Sequence, residues 1–137
     1  MKIVIIEDEV FAARRLENMI KEIDPQIDVV AKLESVRESV EWFKKNEEPD
    51  LIFLDIHLDD DLSFAIFKEV KIACSIVFTT ATDELAARAF QLKEIDYLLK
   101  PIILADLIIV IEKYKNQPKK YCPVNPDTFN EIINLRK

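Results

Sequence analysis

Five side chains stand at the ends of apolar runs, and together they suit phosphate chemistry. Leu51-Ile52-Phe53-Leu54 is an unbroken apolar run that reads as a strand buried on both faces, and it ends in Asp55. A carboxylate there is costly unless it lies at the rim of the sheet, where open α/β sheets place their ligands. Glu7 and Asp8 follow the apolar run 3–6, Thr80 closes the run that starts at Ser75, and Lys100 follows Tyr97-Leu98-Leu99. In a doubly wound sheet the first and third strands are neighbours, so Glu7, Asp8 and Asp55 should converge. Crowded carboxylates repel one another, and a hard divalent cation, best Mg2+, relieves that repulsion. With phosphate oxygens neutralised by the ion, Asp55 is the candidate nucleophile toward a phosphoryl group. Thr80 would supply a hydroxyl donor and Lys100 a positive charge to the same phosphate. Singly, each residue is ordinary: a strand-end aspartate is more often a cap, and a lysine before proline is more often on the surface. Their joint placement, each at the carboxyl end of its own strand, carries the reading.

The elements that must hold these residues alternate regularly. Ala12, Ala13, Leu16, Met19, Ile20 and Ile23 recur at helical spacing until Asp24-Pro25 ends the first helix. A short second strand is expected over 27–31. Ser35-Val36-Arg37-Glu38 has the capping-box form, and Val36, Val40 and Phe43 give the second helix one apolar stripe. A polar loop from His57 to Asp61 leads to a third helix through Leu62, Ile66, Phe67 and Val70, with Asp59-Asp60-Asp61 expected to be solvated. Residues 75–78 form a fourth strand, Asp83 caps a fourth helix, and Tyr97-Leu98-Leu99 is a fifth strand. Five β-α repeats of this length predict an α/β fold, a doubly wound five-stranded parallel sheet covered on both faces. From Ile102 to Ile111 only Asp106 is not apolar, too short a run to span a membrane. That last helix is either deeply buried or presents a protein–protein surface.

Composition narrows the field. A chain of 137 residues, 50% hydrophobic, accommodates one domain with a real core. Residues 1–116 form that domain. Pro118, Pro123 and Pro126 mark 117–137 as a linker, and Asp127, Phe129, Ile132 and Ile133 open a short amphipathic piece, the start of a missing or truncated output region. A net charge of -7 argues against direct binding of nucleic acid or anionic membrane by this chain. There is no glycine, where average usage would give about ten. A P-loop and a dinucleotide-binding turn both need glycine for close approach of backbone to phosphate, so neither can be written. Cys74 and Cys122 lack metal-type spacing, a single histidine makes a zinc site unlikely on chemical grounds, and the N-terminus lacks a signal peptide's features. A cytoplasmic protein with reduced thiols is expected.

The pattern Glu7-Asp8, Asp55, Thr80-Ala81, Lys100-Pro101 resembles the receiver domain of bacterial two-component response regulators, over roughly residues 1–116. Asp55-Ile-His-Leu and Asp96-Tyr-Leu-Leu-Lys-Pro-Ile102 look most like receivers of LytTR- or AlgR-type transcriptional regulators. The resemblance implies a flavodoxin-like strand order 2-1-3-4-5 and phosphoryl transfer to Asp55 from a sensor histidine kinase. It implies Mg2+ held by Asp8, Asp55 and the backbone carbonyl of His57, with Glu7 acting through water. Thr80 would be the switch hydroxyl, Lys100 its ionic partner at the phosphate, Tyr97 a rotating aromatic, and the Lys100–Pro101 bond cis. The face of the fourth and fifth helices and the strand between them would respond to phosphorylation, with a homodimer as one outcome. The family stores a phosphoryl group rather than turning over a substrate. Asp61 departs from the pattern, standing where related receivers usually carry glycine.

Three other readings compete. A haloacid-dehalogenase-like phosphohydrolase also uses a strand-end aspartate with Mg2+, but needs a second aspartate two positions on, where this chain has His57. A phosphate-independent interaction module of the same fold is opposed by the complete acidic site. A free-standing receiver, without a DNA-binding output domain, is the alternative to a regulator of transcription.

Overall fold

A computed structural model describes residues 1–81 and 96–116; the expected fourth helix, Asp83 included, and the segment 117–137 lie outside the described residues. In order the elements are β1 (Lys2–Ile6), α1 (Val10–Ile23), β2 (Asp28–Leu33), α2 (Val36–Lys45) and β3 (Leu51–Asp55). A 3-10 turn (Ser63–Ala65), α3 (Ile66–Glu69), β4 (Ser75–Thr80), β5 (Tyr97–Leu99) and a closing helix (Leu104–Lys115) follow. The strands form one sheet in the order β2-β1-β3-β4-β5, and every pairing is parallel. This is the expected doubly wound, flavodoxin-like order, and it makes β1 and β3 neighbours.

Burial explains the sequence pattern. The central strands β3 and β4 are buried at every position, whereas the edge strand β2 alternates, because helices cover both faces at the centre and solvent reaches the edge. Side chains alternate between two apolar layers. Ile3, Ile5, Leu51 and Phe53 pack with Leu16 and Ile20 of α1 and with Leu107 and Ile111 of the closing helix. Val4, Ile6, Ile52 and Leu54 pack on the other face with Val40 of α2 and with Phe64 and Ile66. Phe64 meets Phe78 edge-on at 5.7 Å.

Several boundaries differ from the sequence expectation. The second strand runs to Leu33, because pairing with β1 continues to Ile6↔Leu33, while Ile27 is buried before the strand begins. The third helix is far shorter than its apolar spacing predicts: Ser63 N–H is drawn to Ile56 O at 2.8 Å, the first turn is tightened to 3-10, and Val70 is already extended. Ser35 caps α2 as expected, its hydroxyl accepting from Glu38 N–H at 3.0 Å. The closing helix is not deeply buried all round. Leu107, Val110 and Ile111 face the core, but Ile109 is 67% exposed and Ile103, just before the helix, 60%.

Candidate functional site

β1 and β3 end side by side, Ile6 against Leu54, so the residues that follow them meet at the carboxyl edge of the sheet. Glu7 extends the ladder by donating its N–H to Leu33 O at 2.9 Å, which fixes its backbone and buries its side chain. Glu7, Asp8 and Asp55 each present a carboxylate oxygen, all within 4.8 Å of one another. Glu7 and Asp55 are buried and Asp8 is half-buried. Such a hard, anionic oxygen set fits a hard divalent cation that keeps part of its water shell.

The opposite charge arrives from β5. Lys100 N–H donates to Thr80 O at 2.7 Å, continuing the β4–β5 ladder by one step. From that anchor its ammonium group donates to Asp55 Oδ2 at 2.9 Å and also to Glu7 Oε1. Burial alone would lower the Lys100 pKa, but the hydrogen bonds and charges of Glu7 and Asp55 outweigh it and hold the pKa above its ordinary value. Lys100 therefore stays charged at neutral pH. The Lys100–Pro101 peptide bond is cis, and the following Ile102 carbonyl accepts from Arg15 Nη2 of α1 at 3.0 Å.

Thr80, the last residue of β4, is buried, with its hydroxyl donating to Ala81 O at 3.1 Å. Tyr97 is half-buried, opposite Phe78 in register, and packs against the layer that contains Phe78. His57 is exposed, and its backbone forms an antiparallel bridge with Leu62. A cavity of about 340 Å³ opens beside the cluster, with Glu7, Arg15, Thr79, Lys100 and Ile102 in its wall.

Asp59 and Asp60 are exposed, as expected of a solvated loop, but both also interact with neighbouring groups of the fold. The neighbouring Asp8 carboxyl group holds the Asp59 pKa above its ordinary value. Asp8 is raised as well, first by burial and then by Glu7. Asp60 turns the other way, to the backbone of α2, where its carboxylate accepts from Val36 and Arg37. For Asp60 burial acts upward, but those backbone donors leave its pKa lowered. An aspartate three residues before an apolar helix is a legible cap; one that caps a helix from across the sheet edge has no sequence signal.

The chain is similar to known proteins in sequence and in fold. The response regulator receiver domain matches residues 3–112. The sensory transduction protein LytT of Bacillus anthracis is 34% identical over 120 residues, covering 85% of this chain and 48% of that protein. LytT of Enterococcus faecalis is 37% identical over 128 residues, covering 91% and 52% respectively. The transcriptional regulatory protein LytR of Staphylococcus aureus is 36% identical over 137 residues, covering 98% of this chain and 53% of that protein. The chain thus spans about half the length of the curated relatives it matches. Among solved structures, the response regulatory domain of mrkE from Klebsiella pneumoniae superposes with a TM-score of 0.70 at 30% identity, over 85% of this chain and all of that one. The acidic edge bridged by Lys100, the 2-1-3-4-5 sheet and these likenesses converge: the chain belongs to the receiver-domain family of two-component response regulators, with LytT and LytR regulators among its homologues.

Proposed function

We propose that this domain accepts a phosphoryl group on Asp55 from a phosphohistidine of a sensor kinase and relays the change to an output region beyond residue 116. The observation that carries the proposal is the Lys100 ammonium held between Asp55 and Glu7 beside Asp8. A carboxylate able to act as nucleophile, a fixed ammonium group and a set of hard oxygen ligands meet there at one sheet edge.

Asp8, Asp55 and the His57 backbone carbonyl would hold Mg2+, with Glu7 acting through a water molecule. When bound, the ion neutralises phosphate oxygens and lowers the repulsion that an anionic donor meets. Asp55 attacks phosphorus through a carboxylate oxygen; the P–N bond to the donor imidazole breaks as the P–O bond forms. Lys100 moves its hydrogen bond from the carboxylate to a phosphoryl oxygen. The Thr80 hydroxyl, engaged with the neighbouring Ala81 carbonyl, turns toward the same phosphoryl group, and Tyr97 follows into the space it leaves. No substrate is turned over, and the adduct is lost only by slow hydrolysis.

The readout we infer lies on the closing helix and β5, where Leu99, Ile103, Ile108 and Ile109 expose apolar surface suited to a second copy of the domain. Residues 117–137 would lead from the receiver, 1–116, to an output domain of LytTR type, supported by relatives twice as long, one of which is described as a transcriptional regulator. Membership of the receiver-domain family supports a cytoplasmic location beside the kinase's catalytic part; among the described residues no helix is long and apolar enough to cross a membrane.

Intact mass after incubation with Mg2+ and a small acyl phosphate tests the proposal. The parent should gain one phosphoryl group and Asp55→Asn none. Equal modification of both, or many-turnover hydrolysis of the donor without an adduct, would refute it.

A further inference from the structure

The loop after Asp55 is pinned along its length. Ile56 N–H donates to Thr79 O at 3.2 Å, Leu58 N–H to Asp61 O at 3.1 Å, and Ser63 N–H returns to Ile56 O at 2.8 Å. At its tip the loop crosses to another element: Asp60 Oδ1 accepts from Val36 N–H at 2.9 Å and Oδ2 from Arg37 N–H at 3.1 Å. These are amides that the first turn of α2 leaves without partners inside the helix. The helix also has its own cap, Ser35, so the Asp60 contact is additional to what α2 needs locally. Asp59, the adjacent residue, is close enough to Asp8 for the two carboxyl groups to interact. Two successive carboxylates thus join α2 to the acidic edge through a single peptide unit, in a loop with no glycine to set its turn.

We propose that Asp60 is a positioning residue: by tying the loop to the N-terminus of α2, it holds the His57 backbone and Asp59 in place beside Asp8 and Asp55. Cation affinity and phosphoryl uptake then depend on a carboxylate that touches neither the cation nor the phosphate. This inference rests on the receiver mechanism proposed above. Residues that orient metal ligands in this indirect way commonly change affinity by about 10–100-fold when removed, and the low end suits a loop with several other ties.

The test compares Asp60→Ala, Asp60→Asn and Ser35→Ala in the full chain, by calorimetric Mg2+ titration, thermal unfolding and phosphoryl uptake from an acyl phosphate. Asp60→Ala is expected to weaken Mg2+ binding about tenfold and slow uptake at subsaturating Mg2+. Asp60→Asn, whose amide oxygen still accepts from one of the two donors, should recover most of the affinity. Ser35→Ala removes a cap from the same helix without touching the loop; it should lower the unfolding temperature and leave Mg2+ affinity unchanged. In the parent, Mg2+ should shift the amide resonances of Val36 and Arg37, and this response should vanish in Asp60→Ala. Parent-like affinity in Asp60→Ala, or an equal loss in Ser35→Ala, would overturn the tether while parental uptake still upheld the receiver reading. A parent that neither binds Mg2+ nor takes up phosphoryl would remove both.

Discussion

Replacing Lys100 with methionine isolates the charge at the site, since methionine is similar in length and retains the apolar stem. In the parent the ammonium lies 2.9 Å from Asp55 and also bonds Glu7, and those carboxylate side chains are only 9% and 6% exposed. At an effective dielectric of about 20, one such contact has a gross attraction of roughly 6 kcal/mol, most of it offset by the desolvation of both ions. Breaking a fully buried pair from one side costs about 3–5 kcal/mol. The Lys100 side chain is 27% exposed, so solvent screening brings the expected loss to about 2–3 kcal/mol. For a domain of this size that is roughly 10 °C in Tm. The assay is denaturant unfolding with and without saturating Mg2+ at pH 7. If charge is the cause, the deficit should shrink in Mg2+, and the variant should bind Mg2+ more tightly than the parent because a competing cation is gone. A deficit that is the same with and without Mg2+ would refute the electrostatic account.

Two further outcomes follow from the same geometry. Because the folded-state pKa of Asp8 is raised, by burial and then by Glu7, Asp8 favours the fold when protonated and disfavours it as pH rises through that elevated value. Without Mg2+, Asp8→Asn should therefore exceed the parent in stability at pH 7, and the difference should vanish as pH falls below the ordinary aspartate value of 3.8; a difference independent of pH in urea titrations would contradict this. Ser63 is fully buried and its hydroxyl is the single buried side-chain polar atom without a hydrogen-bond partner among the described residues. Ser63→Ala should stabilise the domain by about 1 kcal/mol, read from the denaturant midpoint, and a loss of stability would mean that the hydroxyl has a partner in solution.

Much of the site was legible because strand ends are legible. An apolar run of four residues buries both faces of a strand, so the acid that follows must lie at the sheet edge; this placed Asp55, and the same logic placed Glu7, Asp8, Thr80 and Lys100. The doubly wound order puts β1 beside β3, which brings the acids together. The third helix was misjudged in extent because periodicity reports which side chains are buried, and Phe64 and Ile66 are buried, whether the backbone between loop and strand is α or 3-10.

By itself the sequence determined the fold class and the identity of the groups that end each strand, since these follow from local apolar pattern and from strand–helix alternation, while the strand order 2-1-3-4-5 was implied by the resemblance to receiver domains. Only the tertiary structure decided how those groups pair. Lys100 bridges Glu7 and Asp55 from 93 and 45 residues away, Asp60 caps a helix that precedes it by 24, and Asp96 takes hydrogen bonds from Lys113 and Tyr114 of the closing helix. Such contacts depend on side-chain direction across separate elements, and no periodicity in a linear chain encodes that direction.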